Sequence, residues 1–151
     1  ELQPKLAADF LSRPPADTLV LLGYVRTPEQ LAWIRHNKRY NLRADPARRG
    51  AIDLQAKELA AEFVLLYGFR TPVVELWRVA GVPEILTEEA TRASGYAEPR
   101  GPYFCLPLAE AEPSPWTEDL QPTDVTQLAR SFGSTGRPVA VSWLDLVSLL
   151  K

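Results

Sequence analysis

The run Trp33-Ile34-Arg35-His36-Asn37-Lys38-Arg39-Tyr40-Asn41-Leu42-Arg43 holds five cationic or titratable groups, two aromatics and two amides within eleven residues. That mixture suits a nucleic acid. Arg35, Lys38, Arg39 and Arg43, continued by Arg48 and Arg49, can neutralise phosphates, and His36 joins them when protonated. Trp33 and Tyr40 can stack on a base, and Asn41 can hydrogen-bond a base edge. The structural alternative for the same run is a solvated helix end with Trp33 turned into the core. A binding role predicts salt-dependent affinity that weakens when Arg39 and Arg43 become Ala.

Charge is unevenly distributed. Residues 26–50 carry seven cationic against two acidic side chains, a net of +5, and residues 84–124 carry nine acids against two arginines, a net of −7. The whole chain is only at −2. This favours a localised polyanion contact over a wrapped one. The acidic, proline-rich stretch 109–122 suggests an alternative, a protein-interaction domain.

The chain also carries the residues of a second chemistry. Asp45 or Asp53 with Gln55 and Lys57 has the order Asp…Gln-x-Lys, a variant of the carboxylate, acceptor and lysine set of a metal-dependent nuclease. The lysine should end a buried strand, and residues 51–57 are not apolar enough for one. The expectation is therefore a non-catalytic module without a metal. No P-loop, dinucleotide fingerprint, zincin motif or nucleophile elbow is present, so no cofactor is expected. Cys105 is the only cysteine and sits in the apolar run Tyr103-Phe104-Cys105-Leu106, which reads as core strand rather than nucleophile. One cysteine excludes an internal disulfide.

These groups must be positioned by a fold. Apolar runs at Thr18–Tyr24, Phe63–Tyr67, Val73–Val79, Tyr103–Leu108 and Val139–Trp143 predict five strands. Glu75 reads as facing out of the third. Helices are predicted over residues 2–12, from Thr27-Pro28-Glu29-Gln30 into the basic stretch, over Thr87–Ala93 with a stop at Gly95, from an N-cap at Thr123 to Phe132, and over Leu144–Leu150. Strands and helices do not alternate regularly. That predicts α+β, with a small curved or barrel-like mixed sheet of about five strands and flanking helices. The 151 residues suit one domain, 1–151. The chain starts at Glu1 and lacks Met, which reads as a piece of a longer protein whose other domains are candidate partners. No long apolar run or signal-peptide pattern is present, which predicts a cytoplasmic domain with no membrane partner.

The order of these segments resembles the PUA-like superfamily, including EVE and ASCH domains, over about residues 18–110. The matching features are the aromatic and basic stretch Trp33–Arg43, the strand Phe63-Val64-Leu65-Leu66-Tyr67, and the next strand Val74-Glu75-Leu76-Trp77-Arg78-Val79. The Thr87-Glu88-Glu89-Ala90 helix start, the Gly95-Tyr96 stop and the strand Tyr103–Leu108 follow. The resemblance implies a small β-barrel that binds RNA or captures a modified or flipped base in DNA. Such domains serve as readers in McrB-type modification-dependent restriction systems. It implies an aromatic pocket for which Trp33, Tyr40, Tyr67 and Trp77 are the candidates by position.

Overall fold

A computed structural model describes residues 16–43, 60–68, 70–96, 99, 102–110, 120–132 and 138–148. The elements in chain order are β1 (Leu19–Tyr24), α1 (Pro28–Asn37), β2 (Arg39–Arg43), β3 (Phe63–Gly68), β4 (Val73–Val79) and β5 (Glu84–Leu86), followed by α2 (Glu88–Ala93), β6 (Tyr103–Glu110), α3 (Pro122–Ser131), β7 (Val139–Ser142) and α4 (Trp143–Val147). The architecture is α+β: a strongly curled mixed sheet forms a half-barrel with four helices around it. The order across the sheet is β2-β6-β4-β3-β1-β7, and β5 pairs with β6 beside that path. Among the described residues only β1 and β3 run parallel; the other pairs are antiparallel.

All five expected strands form, and two more join them. One is β2, in the basic stretch that the helix starting at Thr27 is expected to enter. That helix begins as expected, with Thr27 Oγ1 accepting from Gln30 N and Pro28 at the first position. It stops at Asn37 because Lys38 turns left-handed, at φ 52° and ψ 49°, and donates its N–H to Ile34 O. Arg39 therefore belongs to a strand rather than to a helix end. Tyr40 and Leu42 are buried in β2. The other added strand is β5, three residues long. Helix α3 has its N-cap at Gln121, two residues before the predicted Thr123. Pro122 takes the first helical position, which suits a residue with fixed φ and no N–H. Gly95 ends α2 as predicted, with φ 101°. The predicted helix over residues 2–12 lies outside the described residues.

The curl has a local cause. β4 and β5 run along the same edge of β6, with Val79 opposite Leu108 and Glu84 opposite Cys105. The four residues Ala80–Pro83 thus stand where β6 spends two, Leu106 and Pro107. This bulge bends the sheet. Pro107 has no N–H to give, but its carbonyl accepts from Ala80 N at 2.8 Å, so it fits where the pairing breaks.

Strand alternation gives the sheet two buried faces. Leu21, Val64, Leu66 and Trp77 pack with Leu31, Trp33 and Ile34 of α1. Val20, Leu22, Leu65 and Tyr67 pack with Val125 and Ala129 of α3 and with Trp143 and Leu146 of α4. Helix α4 is fixed by a capping box between Ser142 and Asp145 and by Trp143 N donating to Thr18 O at 2.7 Å.

Candidate functional site

The left-handed turn at Lys38 carries the cationic run from α1 directly into β2. His36 and Lys38 are exposed, Arg35 has 52% of its side chain exposed, and Arg39 is half-buried. Two of these charges are engaged. Arg35 Nη2 donates to Glu75 Oε2 at 2.6 Å, and its Nε also reaches both Glu75 oxygens. This hydrogen bond holds the Arg35 guanidinium above its ordinary pKa. Arg39 Nη2 lies 3.5 Å from Glu84 Oε1. Arg43 closes β2, its backbone opposite Tyr103. Arg48 and Arg49 lie outside the described residues, as do Asp45, Asp53, Gln55 and Lys57 of the nuclease alternative and residues 111–119 of the acidic stretch.

Glu75 corrects an expectation. It faces α1, on the same side of β4 as Val73 and Trp77. Its Oε1 accepts from Trp77 Nε1 at 2.8 Å while the carboxylate holds Arg35, so one side chain ties the helix to the sheet. The two bonds differ in worth. Trp77 is buried, and losing its acceptor leaves a buried donor unmet. Arg35 is half-exposed and its ion pair is screened. Glu75→Leu is expected to cost about 1–2 kcal/mol in urea unfolding and Arg35→Ala at most about 0.5 kcal/mol. The reverse order would refute this assignment.

The four aromatics proposed as a stacking set are core residues, each between 2% and 6% exposed. The sheet divides them. Trp33, Tyr40 and Trp77 share the α1 face, and Tyr67 lies on the α3 face in an edge-on contact with Tyr24. Trp33 donates its Nε1–H to Ser94 Oγ at 3.0 Å and meets Tyr96 edge-on. Tyr40 lies flush against Gly23, where a Cβ would come within 2.8 Å of its Cζ. Helical spacing with Leu31 and Ile34 explains Trp33, and strand parity with Leu42 explains Tyr40.

Asn41 behaves differently. It is 9% exposed, and its Oδ1 is buried without a hydrogen-bond partner. It sits opposite Cys105 on β6, and Glu84 of β5 is opposite Cys105 on the other side. Asn41, Cys105 and Glu84 therefore form a row across three strands on one face. Arg39 is two residues before Asn41 and shares that face. It reaches across to Glu84, spanning β6. Beneath that pair, burial pushes the Cys105 thiol up to about 11; Arg39 pulls the other way and Glu84 adds to the rise. The thiol is protonated at neutral pH, in line with the core reading and unsuited to nucleophilic attack.

Among the described residues, no group of three or more His, Cys, Asp or Glu side chains could hold a metal ion, and no helix is long and apolar enough to cross a membrane. Comparison with family models, curated proteins and solved structures finds no match to this chain. The roles of Glu75, Glu84 and Ser94 as partners of Arg35, Arg39 and Trp33 have only one signal in the sequence. It is the parity of β4, which puts Glu75 in step with Val73 and Trp77.

Proposed function

We propose that this chain is a non-catalytic nucleic-acid-binding module whose contact surface is the junction of α1 and β2. One observation carries the reading. Arg35, His36, Lys38 and Arg39 follow one another across the helix-to-strand junction, beside an Asn side chain with an unused acceptor. Cations on a rigid edge can engage a phosphate backbone without first losing much conformational freedom. Glu75 and Glu84 oppose two of them, so the contact is local and modest in strength. The module serves DNA or RNA in a cytoplasmic setting. In the specialised form that the PUA-like resemblance implies, it reads a modified or flipped base in DNA for a restriction system. With Trp33, Tyr40, Tyr67 and Trp77 packed in the core, the polar group at hand for a base edge is Asn41.

The test is a binding panel of single-stranded, double-stranded and methylated oligonucleotides, DNA and RNA, at two salt concentrations. Wild type is expected to bind with affinity that falls as salt rises. The double variant Arg39→Ala/Arg43→Ala is expected to bind about tenfold more weakly, with the salt slope reduced by about 2. Arg39 is half-buried outside the main apolar core, and a melting curve on the double variant checks that it folds. Unchanged affinity in the folded variant sinks the proposal.

A further inference from the structure

The unused oxygen of Asn41 asks for a donor. A carboxamide oxygen has two lone pairs, and buried acceptors in folded proteins are almost always paired. Asn41 lies among groups that leave its oxygen unmet: Cys105, a weak donor held in the core, is its neighbour across β6, and Arg39 is turned away toward Glu84. An apolar side chain would fill this position without leaving an oxygen unmet. The Arg39–Glu84 contact is long, at 3.5 Å, and both partners are partly exposed, so it can open at little cost. Arg39 reaches along the same face as the row Asn41, Cys105 and Glu84. The outer members are two strand spacings apart, about 10 Å between their backbones, with a small side chain between them.

We infer that this three-stranded face reads an amino-bearing nucleobase, with Asn41 Oδ1 accepting from the exocyclic amine and Arg39 released from Glu84 to a neighbouring phosphate. The chemistry follows from the group left unmet. Adenine and cytosine carry an exocyclic amine donor, and thymine presents a carbonyl oxygen at the corresponding position. A buried, unmet acceptor therefore favours adenine or cytosine over thymine. Arg39 changing partner from carboxylate to phosphate joins base reading to backbone contact. This inference rests on the nucleic-acid reading above and specifies its base.

The experiment compares homo-oligomers of dA, dC and dT on wild type and on Asn41→Leu, again at two salt concentrations. Wild type is expected to prefer dA or dC over dT by about fivefold, the worth of one buried hydrogen bond. Asn41→Leu is expected to lose that preference by binding dA and dC as weakly as dT, with its salt slope unchanged, and to melt no lower than wild type. The last result separates loss of reading from loss of folding. Equal binding of all three oligomers by wild type, or a preference that survives in Asn41→Leu, overturns the base assignment while the backbone contact stands. Absence of salt-dependent binding to any oligomer removes both.

Discussion

Taking the folded domain from pH 8 to pH 11 is expected to cost about 4–5 kcal/mol of stability, because three buried acids resist ionisation. Burial pushes the Cys105 thiol from 9.0 to about 11 and the Tyr67 hydroxyl from 10.0 to about 12. It raises Tyr40 further, with the charges of Tyr67 and Tyr96 adding to the shift. In each case the folded pKa lies above the unfolded one. The stabilisation is complete below the unfolded value and is lost as pH rises toward the folded value, because the unfolded chain ionises first. By pH 11 the loss is about 2 kcal/mol for Cys105 and roughly 1 kcal/mol for each tyrosine. Urea midpoints measured from pH 8 to 11 check this directly. In Cys105→Ala the pH-dependent part should shrink by about 2 kcal/mol, whatever the cavity does to stability at neutral pH. A midpoint flat across this range would show that water already reaches these groups. Tyr40 and Tyr67 should also give their tyrosinate absorbance only as the chain unfolds.

Those buried groups show which parts of the fold were legible in the sequence. The strands holding Val64, Leu65, Leu66, Cys105 and Leu106 are continuous apolar runs bounded by turn residues, and they form as read. Strand β2 is not such a run. Arg39-Tyr40-Asn41-Leu42-Arg43 alternates with period two, but it follows a well-capped helix, and the cations look like that helix's last turn. What divides helix from strand is the backbone of Lys38, a residue type with no preference for the left-handed region. Tertiary pairing with β6 decides it, through Leu108 N donating to Lys38 O at 2.8 Å. β5 is hidden for another reason. It exists because β6 runs past the end of β4, which nothing in Glu84-Ile85-Leu86 itself announces.

The charge map was also only half legible. The basic stretch and the acidic stretch are far apart in sequence. The fold instead brings acids to the cations: Glu75 to Arg35 across forty residues and Glu84 to Arg39 across forty-five. The surface at the α1–β2 junction is therefore less positive than the sequence count of +5 implies. A ligand must either use the cations left over, such as Lys38, or displace a carboxylate. The long Arg39–Glu84 pair yields more readily than the short Arg35–Glu75 pair, which also carries Trp77. The same comparison makes Arg39, rather than Arg35, the cation freer to change partners.

Gly68→Ala is expected to destabilise the domain by about 3 kcal/mol, the upper part of the range for an overpacked core. A Cβ on Gly68 would sit 2.6 Å from Val25 O and 3.0 Å from Thr71 O. Both are backbone atoms. The first lies just past β1, where Val25 N donates to Tyr67 O and holds the parallel pair together; the second lies in the turn between β3 and β4. Neither can swing aside as a side chain can, so relief means parting β1 from β3 or opening the turn. Gly23→Ala meets a side chain instead, the Tyr40 ring, with Cζ at 2.8 Å. That ring is buried, so the cost is still about 1–2 kcal/mol, but it can be removed. Tyr40→Leu should therefore relieve Gly23→Ala in a double-mutant cycle and leave Gly68→Ala unrelieved. Both cycles are read from urea midpoints. Gly68→Ala with wild-type stability would mean that β1 and β3 separate freely, and the half-barrel would then lack the rigid frame that the β2 edge needs. Coupling between Tyr40 and Gly23 carries the same frame to the site, because Tyr40 is the residue before Asn41 and its ring anchors β2 against β1.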